Sequence, residues 1–136
     1  MGQLISIPIL SGLFNPVNLD VLYFSNIASV PTNDLRNKIY VNHNMIIREI
    51  SLCAHCDTVG SNENWKVELI KTNLGTTITL GYLQKDGIYN RRILNNNSIL
   101  IKMLSQDGIL LKLVNPSWVT EPLNVAIGGY LLAELI

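Results

Sequence analysis

The chain has 136 residues, enough for one domain with one core, and its ten basic residues balance ten acidic ones. Charged residues make up 15% of it, against about 25% in an average globular domain. Without an extended basic patch to steer a polyanion, the balance speaks against a nucleic-acid partner. No stretch reaches the roughly 18 apolar residues of a membrane-spanning helix. The first basic residue is Arg36, and Pro8 and Gly12 interrupt the early apolar run, so no secretory leader is expected.

The first 35 residues read differently from the rest. Leu4 to Leu10 is apolar but contains Pro8, Asn15-Pro16 and Val30-Pro31 break the chain again, and Val21 to Phe24 offers one strand. Residues 1–35 are predicted as an extended apolar arm with one possible added strand, and residues 36–136 as the main domain. So apolar an arm must lie on its own sheet or on a neighbouring subunit. Its docking candidates are Leu4, Ile5, Ile7, Ile9, Leu10, Leu13 and Phe14. Met1-Gly2-Gln3-Leu4-Ile5-Ser6 fits the loose myristoylation pattern; the same residues also read simply as the start of the arm.

From Lys38 on, the rhythm is that of short strands. Ile46 to Cys56 carries Ile50, Leu52 and Ala54 on one face, and Asp57 to Asn64 is a polar loop with Gly60. Trp65, Val67 and Leu69 alternate with Lys66 and Glu68, and Asn73-Leu74-Gly75 turns the chain. Thr76 to Leu83 is rich in β-branched residues, with Ile78, Leu80 and Tyr82 expected on one side. Asp86-Gly87 marks a turn before a strand at Ile88 to Leu94, and Asn95-Asn96-Asn97 reads as a loop. Ile99, Ile101 and Met103 alternate with Leu100, Lys102 and Leu104 before Asp107-Gly108, a strong hairpin signal. Ile109, Leu111 and Leu113 then alternate with Leu110 and Lys112, until Asn115-Pro116 ends the strand. Leu123 to Ile136 is a long strand with an expected kink or bulge at Gly128-Gly129. About eight strands at such spacing predict an all-β, antiparallel sandwich of jelly-roll type.

The face opposite the presumed core is too apolar for an isolated sandwich. Leu100, Leu104, Leu110, Val114, Tyr130, Leu132 and Ile136 all fall there, and burying each is worth roughly 1.5–3 kcal/mol. They predict a homo-oligomer interface, unless the arm covers them within one subunit.

Chemistry-bearing motifs are few. Cys53-Ala54-His55-Cys56 resembles a metal or redox pair, with His43 as a further ligand, but the two thiols of a regular strand point to opposite faces and a structural zinc site needs four ligands. No metal and no cofactor is expected. Asp20, Asp34, Asp57, Asp86 and Asp107 sit beside turn signals, which accounts for each. Ser51, His55 and Asp57 lie on one short stretch and do not converge as a triad. No enzyme is expected. The Arg91-Arg92 doublet reads as a solvated hairpin edge. Trp65 reads as core, whereas Trp118 is either a ligand-stacking platform in the loop from Asn115 to Glu121 or a lid over one end of the fold.

Pro122-Leu123-Asn124-Val125-Ala126-Ile127-Gly128-Gly129-Tyr130-Leu131-Leu132-Ala133-Glu134-Leu135 resembles the last strand of small jelly-roll proteins of viruses and bacteriophages. Arg48 to Leu52 and Trp65 to Leu69 look like their paired strands. The resemblance spans the C-terminal two-thirds and is one of texture. It implies a non-enzymatic capsid decoration, minor capsid, head-fibre or spike protein, made in the host cytoplasm and carried in an outer or accessory position of the virion. It implies partners too: further copies of itself, a trimer first, and virion proteins such as the major capsid protein. Capsid arms that package genomes are basic; this one has no Lys or Arg before Arg36. The alternative expectation is a receptor- or carbohydrate-binding module, with candidate loops at 57–64, 84–89 and 115–121.

Overall fold

In the computed structural model, residues 2–25, 31–32, 38–72, 75–87 and 89–136 are described, and among them the chain forms ten strands and no helix. They are β1 (Leu4–Leu10), β2 (Val21–Phe24), β3 (Ile39–Tyr40), β4 (Met45–His55), β5 (Trp65–Lys71), β6 (Thr76–Lys85), β7 (Arg91–Asn96), β8 (Ile101–Met103), β9 (Gly108–Val114) and β10 (Ala126–Leu135). Expectations resting on Val30, Asp34, Arg36, Asn73, Leu74 and Ile88 fall outside the described residues.

Every pairing is antiparallel, along the path β1-β10-β4-β7-β6-β5-β9-β2. The short β8 extends the β7 side of β4, and β3 extends the β2 side of β9. Four of the pairs are nested in sequence: β1 with β10, β2 with β9, β4 with β7 and β5 with β6. The sheet curls so that one cluster draws on both ends of the path, with Ile7 and Ile9 of β1 sharing a core with Phe24 of β2 and Leu111 of β9. The alternation delivers that core directly. Trp65, Val67 and Leu69, then Ile109, Leu111 and Leu113, and finally Ile101 and Met103 are all buried.

Several local expectations are corrected. Asp107-Gly108 does not close a hairpin, since β8 pairs with β4 while β9 pairs with β5, β2 and β3. The turn instead carries the chain from one half of the sheet to the other, held by the Leu104 N–H donating to Asp107 Oδ2 at 2.8 Å. Asp86-Gly87 does close one: Gln84 pairs with Ile93 and Lys85 with Arg92.

The bulge expected at Gly128-Gly129 lies on β4, where Leu132 faces Glu49 and Ala133 faces Ile47, leaving Arg48 over. It flips the parity of β4, so that Ile47 and Ile50 both point inward. A second bulge leaves Leu80 of β6 unpaired, between Thr79 opposite Glu68 and Gly81 opposite Val67. Leu80 and Leu83 therefore go in and Tyr82 goes out, contrary to a simple period of two.

The arm is an integral strand. All seven residues of β1 pair with β10, and Phe14 forms a further bridge to Val125. Ile7, Ile9 and Phe14 are buried in the chain's own core and Ile5 packs against it, whereas Leu4, Leu10 and Leu13 remain exposed. The Ser11 N–H donates to Ile127 O and the Leu135 N–H to Gln3 O. By alternation, the even residues of β1 turn their backbone groups to the free edge. Pro8, with no N–H to offer, sits at the middle of that edge, and the Leu10 N–H there is taken by Ser25 O at 3.0 Å.

Candidate functional site

One end of the molecule is organised around a buried arginine. Parity on β7 sends Arg91 outward and Arg92, like Leu94, inward. Arg91 donates to Asp86 Oδ2 at 2.5 Å and lies 4.6 Å above the Tyr89 ring. Arg92 is fully buried. It donates to Val59 O at 3.1 Å, Glu63 O at 2.9 Å and Leu83 O at 3.4 Å, and also to Ser61 O. Burial lowers its pKa, because charge is costly away from water. The doublet is thus not a solvated pair: one guanidinium is committed to the carbonyls of the loop at 57–64. The alternation with Leu94 was the signal that would have found it.

Above this guanidinium lie the aromatics. Trp118 is buried, its ring 5.9 Å from the Arg92 guanidinium and edge-on to Trp65 at 5.3 Å. Among the described residues its indole N–H has no hydrogen-bond partner. Trp65 in turn meets Phe14 at 6.0 Å and donates to Asn115 Oδ1 at 2.7 Å. Asn18 clasps the Trp118 backbone through both its amide groups. Trp118 is therefore the lid over the core and not an exposed stacking platform.

The same braiding displays apolar side chains outward. Segment 11–20 is tied to segment 115–125 by the Phe14–Val125 bridge, by the Leu19 N–H to Pro116 O and by the Asn124 N–H to Asn15 Oδ1. Leu13, Val17, Leu19, Val119 and Leu123 are exposed on these two segments, Val119 at 87%. Leu19 holds a φ of +65°, which is strained for a bulky residue. Of this group Leu13 was named for docking, Val17 and Leu19 fall within the expected arm and Val119 within the candidate loop at 115–121, but the approach of the two segments is a tertiary fact without a local pattern.

The seven residues expected on one interface are divided by the fold. Tyr130 and Leu132 are on the outer side of β10, with Ile136 just beyond it; Leu100 and Leu104 flank β8. Leu110 and Val114 belong to β9, which β5, β6, β7 and β4 separate from β10 along the sheet. Leu110 is fully buried within the chain and Val114 and Leu132 are half-buried, whereas Leu100 is 72% exposed and Ile136 59%. Strand pairing sets Pro8, Tyr130 and Ser51 in one row and Leu10, Gly128 and Cys53 in the next, so β1 and β10 share one outer surface.

Cys53 and His55 occupy one face of β4, Sγ to Nε2 3.4 Å, while Cys56 is buried and donates to Ala54 O. Burial raises both thiols, Cys56 to about 11. Among the described residues no group of three or more His, Cys, Asp or Glu is placed to hold a metal ion.

No protein-family model matches the chain, and no curated protein is significantly similar to it.

Proposed function

We propose that this chain is a structural subunit of a virus particle, of the capsid decoration or minor capsid and spike kind, with its strands rolled as a jelly roll. The nested pairing carries the reading. A single long hairpin with the rungs β1·β10, β2·β9, β4·β7 and β5·β6, rolled so that β10 meets β4 and β9 meets β5, has the strand order of a jelly roll. In this reading β1-β10-β4-β7 and β2-β9-β5-β6 are its two layers. That architecture is shared by capsid and lectin domains, so the assembly role leans further on the surface. Leu4, Leu10 and Tyr130 are exposed on neighbouring strands, and Leu13 and Val119 at the braided end. Apolar surface so displayed is covered by copies of the chain or by other virion proteins.

Light scattering on the purified protein tests this. A homo-oligomer, a trimer first, is expected, and Leu10→Asp with Tyr130→Asp should reduce it to folded monomer. A wild-type chain that stays monomeric at every concentration, and is missing from particles purified from a culture expressing it, overturns the proposal.

A further inference from the structure

The β6–β7 hairpin opens almost as soon as it forms. Only Lys85–Arg92 and Gln84–Ile93 pair; beyond them β6 stays with β5 and β7 stays with β4. Between the parting strands lies a groove of about 400 Å³, within the range of small-molecule sites. Its length is closed at both ends, by the Gln84–Ile93 pair and by Asn96 Nδ2 donating to Leu80 O at 2.8 Å. About three residues of strand lie between, roughly 10 Å. Gly81, at a φ of +146°, lets the strands part; a Cβ there would lie 2.5 Å from Leu94 Cδ1. Leu80 and Leu94 are the buried members of the lining.

The walls carry unused hydrogen-bonding groups and no charge. Among the described residues, exposed Tyr82 has no partner for its hydroxyl, the Gln84 amide has none, and Asn95 uses only its Oδ1, which accepts from Ser51. None of the eight lining residues is ionisable apart from the Tyr82 phenol. An extended peptide seeking to add a strand meets the Asn96 bridge across its path, and Leu80 O is already taken. An anion or cation finds no countercharge among the eight lining residues. A compact, neutral, hydroxyl-rich molecule matches what remains: amides to exchange hydrogen bonds with hydroxyls and a phenol ring for a C–H face.

We propose that the groove between β6 and β7 binds a neutral mono- or disaccharide, through Tyr82, Gln84 and Asn95. The site does not depend on the assembly reading.

The test is amide-resolved NMR of the full chain titrated with uncharged methyl glycosides and lactose, followed by Gln84→Ala, Asn95→Ala and Tyr82→Ala. At least one sugar should shift resonances at residues 81–84 and 93–96. Each variant should weaken binding about fivefold to tenfold, the loss of one or two hydrogen bonds. Leu4→Ser, on the far edge of the sheet, should not. All four positions are exposed, so the fold should survive, and the spectra report that directly. Absence of any shift at the groove, shifts only with charged sugars or peptides, or affinity unchanged in all three groove variants overturns the proposal.

Discussion

Replacing Arg92 by Met keeps most of its volume and removes its donors. The guanidinium holds four carbonyls, three from the loop at 57–64 and one from β6. Hydrogen bonds from a charged donor contribute about 1.5–3 kcal/mol each, so four at the lower end give about 6 kcal/mol. Two effects oppose this. Removing a buried charge recovers its desolvation cost, and the loop carbonyls regain water once the loop opens. We expect about 3 kcal/mol of net destabilisation, a large part of a stability of 5–15 kcal/mol, as domains usually have. At an m value of about 2 kcal/mol/M, the urea midpoint should fall by about 1.5 M with m unchanged. Hydrogen exchange should accelerate first at residues 59–63. Arg92→Lys should recover less than half, since an ammonium group lacks the planar fork that reaches several carbonyls at once. A Met variant within about 0.5 kcal/mol of wild type would show that the four bonds do not hold this end of the molecule.

Three further outcomes follow from local geometry. Glu134 accepts from Arg48 at 2.6 Å and from the Gly2 N–H at 3.0 Å, and the Arg48 bond first holds its pKa below the ordinary 4.5. Its contribution is full above pH 4.5 and is lost as pH falls through the lowered value; Glu134→Gln should flatten that acid limb of the stability curve, and an unchanged limb counts against it. Gly129 has a φ of +155°, and a Cβ there would collide with the Ser51 carbonyl oxygen. Gly129→Ala should therefore cost about 2–3 kcal/mol and lower Tm by roughly 10 °C, whereas a change under about 2 °C refutes the clash. With its pKa near 11, buried Cys56 should resist a thiol reagent at pH 8 until denaturant is added, while half-exposed Cys53 reacts slowly. Rapid native labelling of both thiols would contradict their placement.

The strands were legible because a half-buried strand writes its burial into alternate positions, as Ile109, Leu111 and Leu113 do. What a two-residue rhythm cannot reveal is a change of phase. The extra residue at Arg48 and the one at Leu80 each reverse the faces beyond them; the first has no glycine beside it, and Gly81 beside the second does not by itself tell a bulge from a plain strand glycine. Asp107-Gly108 has hairpin chemistry, yet the strands on either side find other partners; local turn preference does not choose between a neighbour and a crossing. Leu110 was read as outward and lies outward of the core cluster, but it is covered nonetheless. The braided end, the buried Arg92 and the parted β6–β7 groove all depend on residues far apart in sequence, which periodicity does not join.

The proline at the rim of the sheet limits what can pair with that edge. A strand from a second molecule laid along β1 would find a missing rung opposite Pro8 and another already spent at Leu10. Backbone ladders therefore cannot propagate past this margin from one molecule to the next.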